Sequence, residues 1–254
     1  MKTIELKGNG QIREEERRTL MDVPHLDETL TFVLPLAGPN YQSEVMKTLH
    51  YSGLSRPTAA QTISLLDIAL QNPDEINCAE IAEGFKYRIW TATESLVLPF
   101  PEGKIVYDNS GDMFVPPLPV HGWKRRLLTE LIEKNDPRVR FVPNRDGRRI
   151  SYHDSIKTLL RDSYVIAEIG EKMLPILERV AKKVHKGRSG AWLRGTNNID
   201  IEEGTNMCTS ISLDEGGIHL VSSPGLGYLN GAGAPIPMQD DGRRGYASGI
   251  IKPK

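Results

Sequence analysis

The sequence predicts an α+β fold: a helix-rich body over residues 1–186 with a small mixed or antiparallel sheet, then a Gly-rich β and loop region over 187–254. Three observations carry this. Apolar residues recur at helical spacing after residue 58, after residue 120 and after residue 164. A β-rich run at 87–98 is followed by a turn and a short return run at 104–107. From Gly216 to Gly249 there are nine glycines in 34 residues, which leaves room only for short strands and ordered loops. No long flexible linker separates the two regions, so one compact unit is favoured over two independent domains.

The elements follow in order. Lys2 to Lys7 alternates enough for a short strand, broken at Gly8-Asn9-Gly10. Gln11 to Met21 reads as an exposed helix, with Ile12, Leu20 and Met21 its apolar residues. Leu30 to Leu36 reads as a strand, and Ser43 to His50 as a short helix. Thr58-Ala-Ala-Gln61 fits a capping box, in which hydroxyl and amide satisfy orphan backbone amides at a helix start. Ile63, Leu65, Leu66, Ile68 and Leu70 give that helix a wide apolar face, and Asn72-Pro73 ends it. A second helix is expected, capped by Asp74 or Asn77, with Cys78, Ile81, Ala82 and Phe85 on its inner face. The tight connection makes the two a helical hairpin.

Tyr87 to Leu98 is strand-like, and Lys104 to Tyr107 returns beside it. Val120 to Lys134 has an amphipathic helical pattern. Arg138 to Val142 reads as a strand. Ser151 to Arg161 reads as a helix, with Asp154 as a residue of its start. Tyr164 to His185 reads as one long helix kinked or split at Pro175. Met207 to Leu213 and Ile218 to Val221 are short strands.

Composition narrows the function. A net charge of -1 excludes a uniformly basic nucleic-acid binder but leaves a local basic patch open. No apolar run approaches the roughly 18–20 residues that a membrane helix needs. The densely charged start shows no secretory signal, and two cysteines make no disulfide framework, so a reducing cytoplasm is the expected location. No metal-ligand motif is present and the six histidines stand singly, so no metal and no cofactor is expected. Gly225-Leu-Gly227 opens like a dinucleotide fingerprint, but the sequence after it cannot start the helix that would hold a pyrophosphate.

Two catalytic arrangements are conceivable. Cys208 and His219 fall on successive strand-like runs and would form a thiol–imidazole pair if those strands brought them together. Asp67 sits on a mostly buried helix, and Glu94 lies in a β-rich run near Trp90. Packed together, these two carboxylates would make a general acid/base pocket for a small molecule. The plainer reading is a buried thiol, a solvent-facing histidine and two wet carboxylates.

The charge layout is more informative. Residues 124–149 hold nine Lys or Arg against four acids, and residues 179–194 hold six against none. Candidate binding residues are Lys124, Arg125, Arg126, Arg138, Arg140, Arg145, Arg148, Arg149, Arg188 and Arg194. Trp123, Phe141, Tyr152 and Trp192 are interleaved with them. Phosphate contact by basic groups with base stacking on aromatics is how many proteins hold single-stranded nucleic acid. Against this, Trp123 and Phe141 have the periodicity of core residues. The favoured expectation is binding of nucleic acid or another polyanion. A carboxylate-based enzyme and a structural or oligomerising protein without a site of its own are the alternatives.

Overall fold

The computed structural model describes residues 3–15, 18–40, 45, 48–49, 51–86, 91–100, 103–107, 130, 132–136, 138–143, 150–153, 155–184, 189–193, 207–214, 217–223 and 245–251. The fold is α+β, as the sequence predicts. Five α-helices pack against a mixed sheet of twelve strands among these residues. Strands 1 to 4 are Thr3–Glu5 (β1), Gln11–Glu15 (β2), Arg18–His25 (β3) and Glu28–Asn40 (β4). Two helices follow, Ala59–Gln71 (α1) and Ile76–Lys86 (α2). Next come Thr91–Phe100 (β5), Gly103–Tyr107 (β6), Val139–Pro143 (β7) and Ile150–His153 (β8). Three helices, Ile156–Leu159 (α3), Ser163–Ile169 (α4) and Leu174–Val184 (α5), precede Ser189–Leu193 (β9). Met207–Asp214 (β10), Gly217–Ser223 (β11) and Gly245–Ile251 (β12) complete the set.

The first four strands form an antiparallel meander. This corrects the helix expected over Gln11 to Met21. Its dense charge hides a period of two: Ile12 pairs with Met21 and both are buried, while the charged Arg13, Glu14, Glu15 and Arg18 fall on the paired strands β2 and β3. Met21, Val23, Leu30, Phe32 and Leu34 face the core beneath α1. Asp22 lies on the other face, half-ringed by donors from Gln11 (2.8 Å), Arg13 (2.7 Å) and Thr31 (2.7 Å). Burial raises the Asp22 pKa, but those hydrogen bonds outweigh it and hold the carboxyl below its ordinary value.

The strands of the C-terminal third pair with strands of the body. β12 lies between β4 (antiparallel) and β5 (parallel), β10 pairs with β5, and β9 pairs with β8. Close approach at β12 requires a glycine. A Cβ on Gly249 would stand 2.7 Å from Leu54 Cδ1 and 3.0 Å from Leu54 Cβ, on the face opposite the main core.

The helix α1 forms as the sequence predicts. Thr58 Oγ1 accepts from the Gln61 amide and the Gln61 side chain accepts from the Thr58 amide, which closes the capping box. Ile63, Leu65 and Leu66 are buried, and the whole helix sinks deeper than an amphipathic stripe requires. The second helix buries Cys78, Ile81, Ala82 and Phe85 as expected. Its first turn is capped by Glu75, whose carboxylate accepts from the Cys78 amide at 2.8 Å, and not by Asp74 or Asn77. Burial pushes the Cys78 thiol pKa up to about 12, so this thiol is inert packing.

The long helix expected over 164–185 is split, but one turn before the proline. The break falls at Gly170, whose φ of 78° no helix accommodates. Pro175 sits in the first turn of α5, where its missing N–H costs no intrahelical bond. Residues 151–161 do not form one helix. β8 ends at His153, and Ser155 caps the short α3 through the Thr158 amide. The expected helix over 120–134 lies outside the described residues except for Glu130 and 132–134.

A buried polar contact ties the meander to α1. His25 Nδ1 lies 2.8 Å from Ser64 Oγ, and both residues are buried. Burial depresses the His25 pKa below its ordinary value of 6.5, with a smaller opposing pull from Glu28. The unfolded chain therefore takes up the proton first. Stability from this site is full above the unfolded pKa and is lost as pH falls through the lower folded value. The urea midpoint is expected to drop as pH falls below about 6.5, and a His25→Gln variant to lose that component of the slope. Equal slopes in the two proteins would show that His25 is not the group responsible.

Candidate nucleic-acid interface

The first basic stretch contains β7 and ends directly before β8, the second contains β9, and in the sheet β6, β5, β10 and β11 lie between β7 and β9. β7 pairs with β6 alone among the described strands, with Tyr107 opposite Val139, Val106 opposite Arg140 and Ile105 opposite Phe141. Strand alternation sorts its side chains into two faces. Val142 joins the main core beneath α4, and Arg140, half-buried, shares its face. On the other face Val139, Tyr107 and Ile105 are buried, whereas Phe141 is 45% exposed and Pro143 beside it is exposed as well. The core role expected of Phe141 is thus corrected. The alternation of Val139 and Phe141 is real, but the cover over this face stops short of Phe141.

Arg138 stands at the start of β7. Asp136 Oδ1 accepts from its backbone amide (2.9 Å) and Nε (3.0 Å), and Oδ2 from Nη2 (2.8 Å). These hydrogen bonds hold the Asp136 pKa down to about 2, so the carboxylate is ionised throughout the physiological range. The guanidinium carbon lies 5.9 Å from the centroid of the Tyr107 ring, a cation–π distance. Asp136 and Tyr107 together fix the fork in place. The carboxylate also subtracts a charge from the surface.

β8 and β9 are antiparallel neighbours, with Ile150 opposite Trp192 and His153 opposite Ser189. Ile150 directly follows Arg149 in the chain, Trp192 is two residues before Arg194, and Ser189 directly follows Arg188. The two basic stretches are far apart in sequence and enter this strand pair at its ends. The pairing also sets the backbones of Tyr152 and Trp192 on adjacent strands. Lys124, Arg125, Arg126, Arg145, Arg148, Arg149, Arg188 and Arg194 lie outside the described residues, as does Trp123.

The carboxylate candidates fall elsewhere. Asp67 is 4% exposed on α1, and its Oδ2 accepts from Arg179 Nη2 at 2.8 Å and Gln71 Nε2 at 3.0 Å. That hydrogen bond raises the Arg179 pKa further above its ordinary value. The contact ties α1 to α5. Lys183 Nζ adds a second tie by donating to the Leu70 carbonyl near the end of α1, at 2.9 Å. Glu94 is placed on β5, which runs beside α1, but its side chain is outside the described set, as is Trp90. The thiol–imidazole pair is not assembled by the backbone register. Cys208 stands opposite Ser223 and His219 opposite Ser212, four residues along the same ladder, or roughly 14 Å.

Among the described residues no three His, Cys, Asp or Glu side chains gather as a metal site, and no helix is long and apolar enough to cross a membrane. Sequence reasoning missed the partners of the buried polar groups. Ser64 for His25 and Arg179 for Asp67 are 39 and 112 residues away in the chain, and no local pattern signals them. No protein-family model matches the chain, and no curated protein or solved structure does either.

Proposed function

We propose that the protein binds nucleic acid through its basic segments, at the β8–β9 pair and at β7. The observation that carries this reading is the antiparallel pairing of β8 with β9, which joins the chain segments leading to Arg145, Arg148 and Arg149 with those leading to Arg188 and Arg194. A chain of net charge -1 can hold basic segments because many of its acids, such as Asp200, Glu202, Glu203, Asp214 and Glu215, lie elsewhere in the sequence. Phosphate neutralisation by Arg and Lys releases condensed counterions, so affinity falls linearly with salt on logarithmic axes, by about 0.7 per contact for a single strand. Asp136 works against that attraction by lying beside Arg138.

The test is fluorescence anisotropy of a labelled oligonucleotide over a salt series. Affinity is expected to be measurable at low salt and to fall steeply with added salt. Absence of binding to any RNA or DNA at low salt would sink the proposal. Asp136→Asn removes a negative charge from beside Arg138 and is expected to tighten binding several-fold, with the gain shrinking as salt screens it. An Asp136→Asn protein that binds more weakly at every salt concentration would show that orienting Arg138 matters more than surface charge.

A further inference from the structure

We infer that the ligand of these segments is an unpaired strand, and that Phe141 is the residue on which one of its bases stacks. The inference rests on the nucleic-acid reading above and adds the form of nucleic acid. A phosphate-binding face alone would serve duplex, single strand or any polyanion equally, because the phosphates carry no information about pairing. Phe141 is a different kind of group. It is 45% exposed on a strand whose neighbours on the same face, Val139, Tyr107 and Ile105, are all buried. Beside it Pro143 is exposed too, so the apolar surface extends beyond one ring. A ring on a strand is presented at low entropic cost, since the strand backbone is already fixed by its pairing with β6.

The cation is positioned to match. Arg138 lies three residues before Phe141, just ahead of β7, and its guanidinium carbon is 5.9 Å from the ring centroid of Tyr107, whose strand position is on the face of Phe141. Three residues along a strand span roughly 10 Å. An unpaired nucleotide can therefore set its base on Phe141 while a neighbouring phosphate approaches Arg138. In a duplex the base faces are occupied by stacking on each other, and Phe141 would meet only backbone. An exposed aromatic about 10 Å from a guanidinium that Asp136 orients and partly neutralises can take base and phosphate together, and every base has a π-face, so the preference is for single strands with little regard to sequence.

The test compares three probes on the full chain: a labelled oligothymidylate, a duplex of equal length and heparin. The variants are Phe141→Ala, Phe141→Leu, which keeps apolar bulk without the ring, and Phe141→Trp, which enlarges the stacking surface. The Phe141→Ala and Phe141→Leu proteins are expected to lose roughly 5-fold or more of their affinity for the oligothymidylate. Their affinity for duplex and heparin is expected to stay unchanged, and Phe141→Trp to match or exceed the parent on the single strand. Far-UV circular dichroism is expected to be the same for all four proteins. Single-strand affinity that is unaltered in both Phe141→Ala and Phe141→Leu would overturn the stacking role and leave the nucleic-acid reading standing. Equal losses on all three probes would overturn it as well, because they would point to a general effect on β7. A parent protein that binds heparin but neither oligonucleotide would overturn both this inference and the reading beneath it.

Discussion

Truncating Phe32 to alanine is expected to cost about 3–5 kcal/mol of stability. Phe32 is fully buried on β4, opposite Met21 on one side and Ile250 on the other. It therefore touches the join between the N-terminal meander and the C-terminal strand β12, beneath the buried face of α1. The loss has two parts, the transfer energy of the ring and the cavity left among neighbours that are strands and cannot collapse freely. A whole domain is stable by only about 5–15 kcal/mol, so Phe32→Ala removes a large share. The shift in urea midpoint at unchanged slope measures it. A cost below about 1 kcal/mol would mean that the meander, α1 and β12 do not share one packed core.

The second large effect is expected at Arg179. Replacing it by methionine keeps most of the aliphatic stem and removes the guanidinium that meets Asp67. Breaking a fully buried ion pair costs about 3–5 kcal/mol. The Arg179 side chain is 53% exposed, and Gln71 still donates to the carboxylate, so solvent and amide recover part of that. About 1–3 kcal/mol is expected for Arg179→Met. The double variant with Asp67→Asn is expected to be more stable than Arg179→Met alone, because it no longer buries an unpaired charge. A double variant less stable than both single ones would show that Asp67 makes contacts to its helix beyond the ion pair. These values come from equilibrium denaturation in a double-mutant cycle.

The legible parts of the fold were those written in local chemistry. Thr58 and Gln61 fixed the start of α1, and the spacing of Cys78, Ile81, Ala82 and Phe85 fixed the inner face of α2. The β5–β6 hairpin and the β10–β11 hairpin were visible as strand-like runs around turns. What the sequence obscured was set by distant partners or by overlapping signals. Between Ile12 and Met21 densely charged strand residues resemble an exposed helix, because period two and period 3.6 are hard to separate with three apolar residues. Gly170 looked like one glycine inside a helix, yet its positive φ ends α4 and leaves Pro175 harmless.

The candidate site divides in the same way. The basic composition of 124–149 and 179–194 is plain in the chain, whereas the β8–β9 ladder that relates the two segments depends on a pairing across 36 residues or more. Phe141 was legible as a strand residue but not as an exposed one, since exposure depends on where the cover over β6 and β7 ends. Asp67 was recognised as a carboxylate on a buried helix. Its counter-ion on α5 was beyond any local reading.

The central claim is that nucleic acid meets the protein along the segment running from β7 to β8. Photo-crosslinking with an oligonucleotide containing 4-thiouridine, followed by mass spectrometry of the digested protein, tests it most directly. The account predicts crosslinks on peptides covering 138–153 and 188–194, with Phe141 among the modified residues, and their loss as salt is raised. Crosslinks confined to the N-terminal meander or to α1 and α2, or none at low salt, would contradict it.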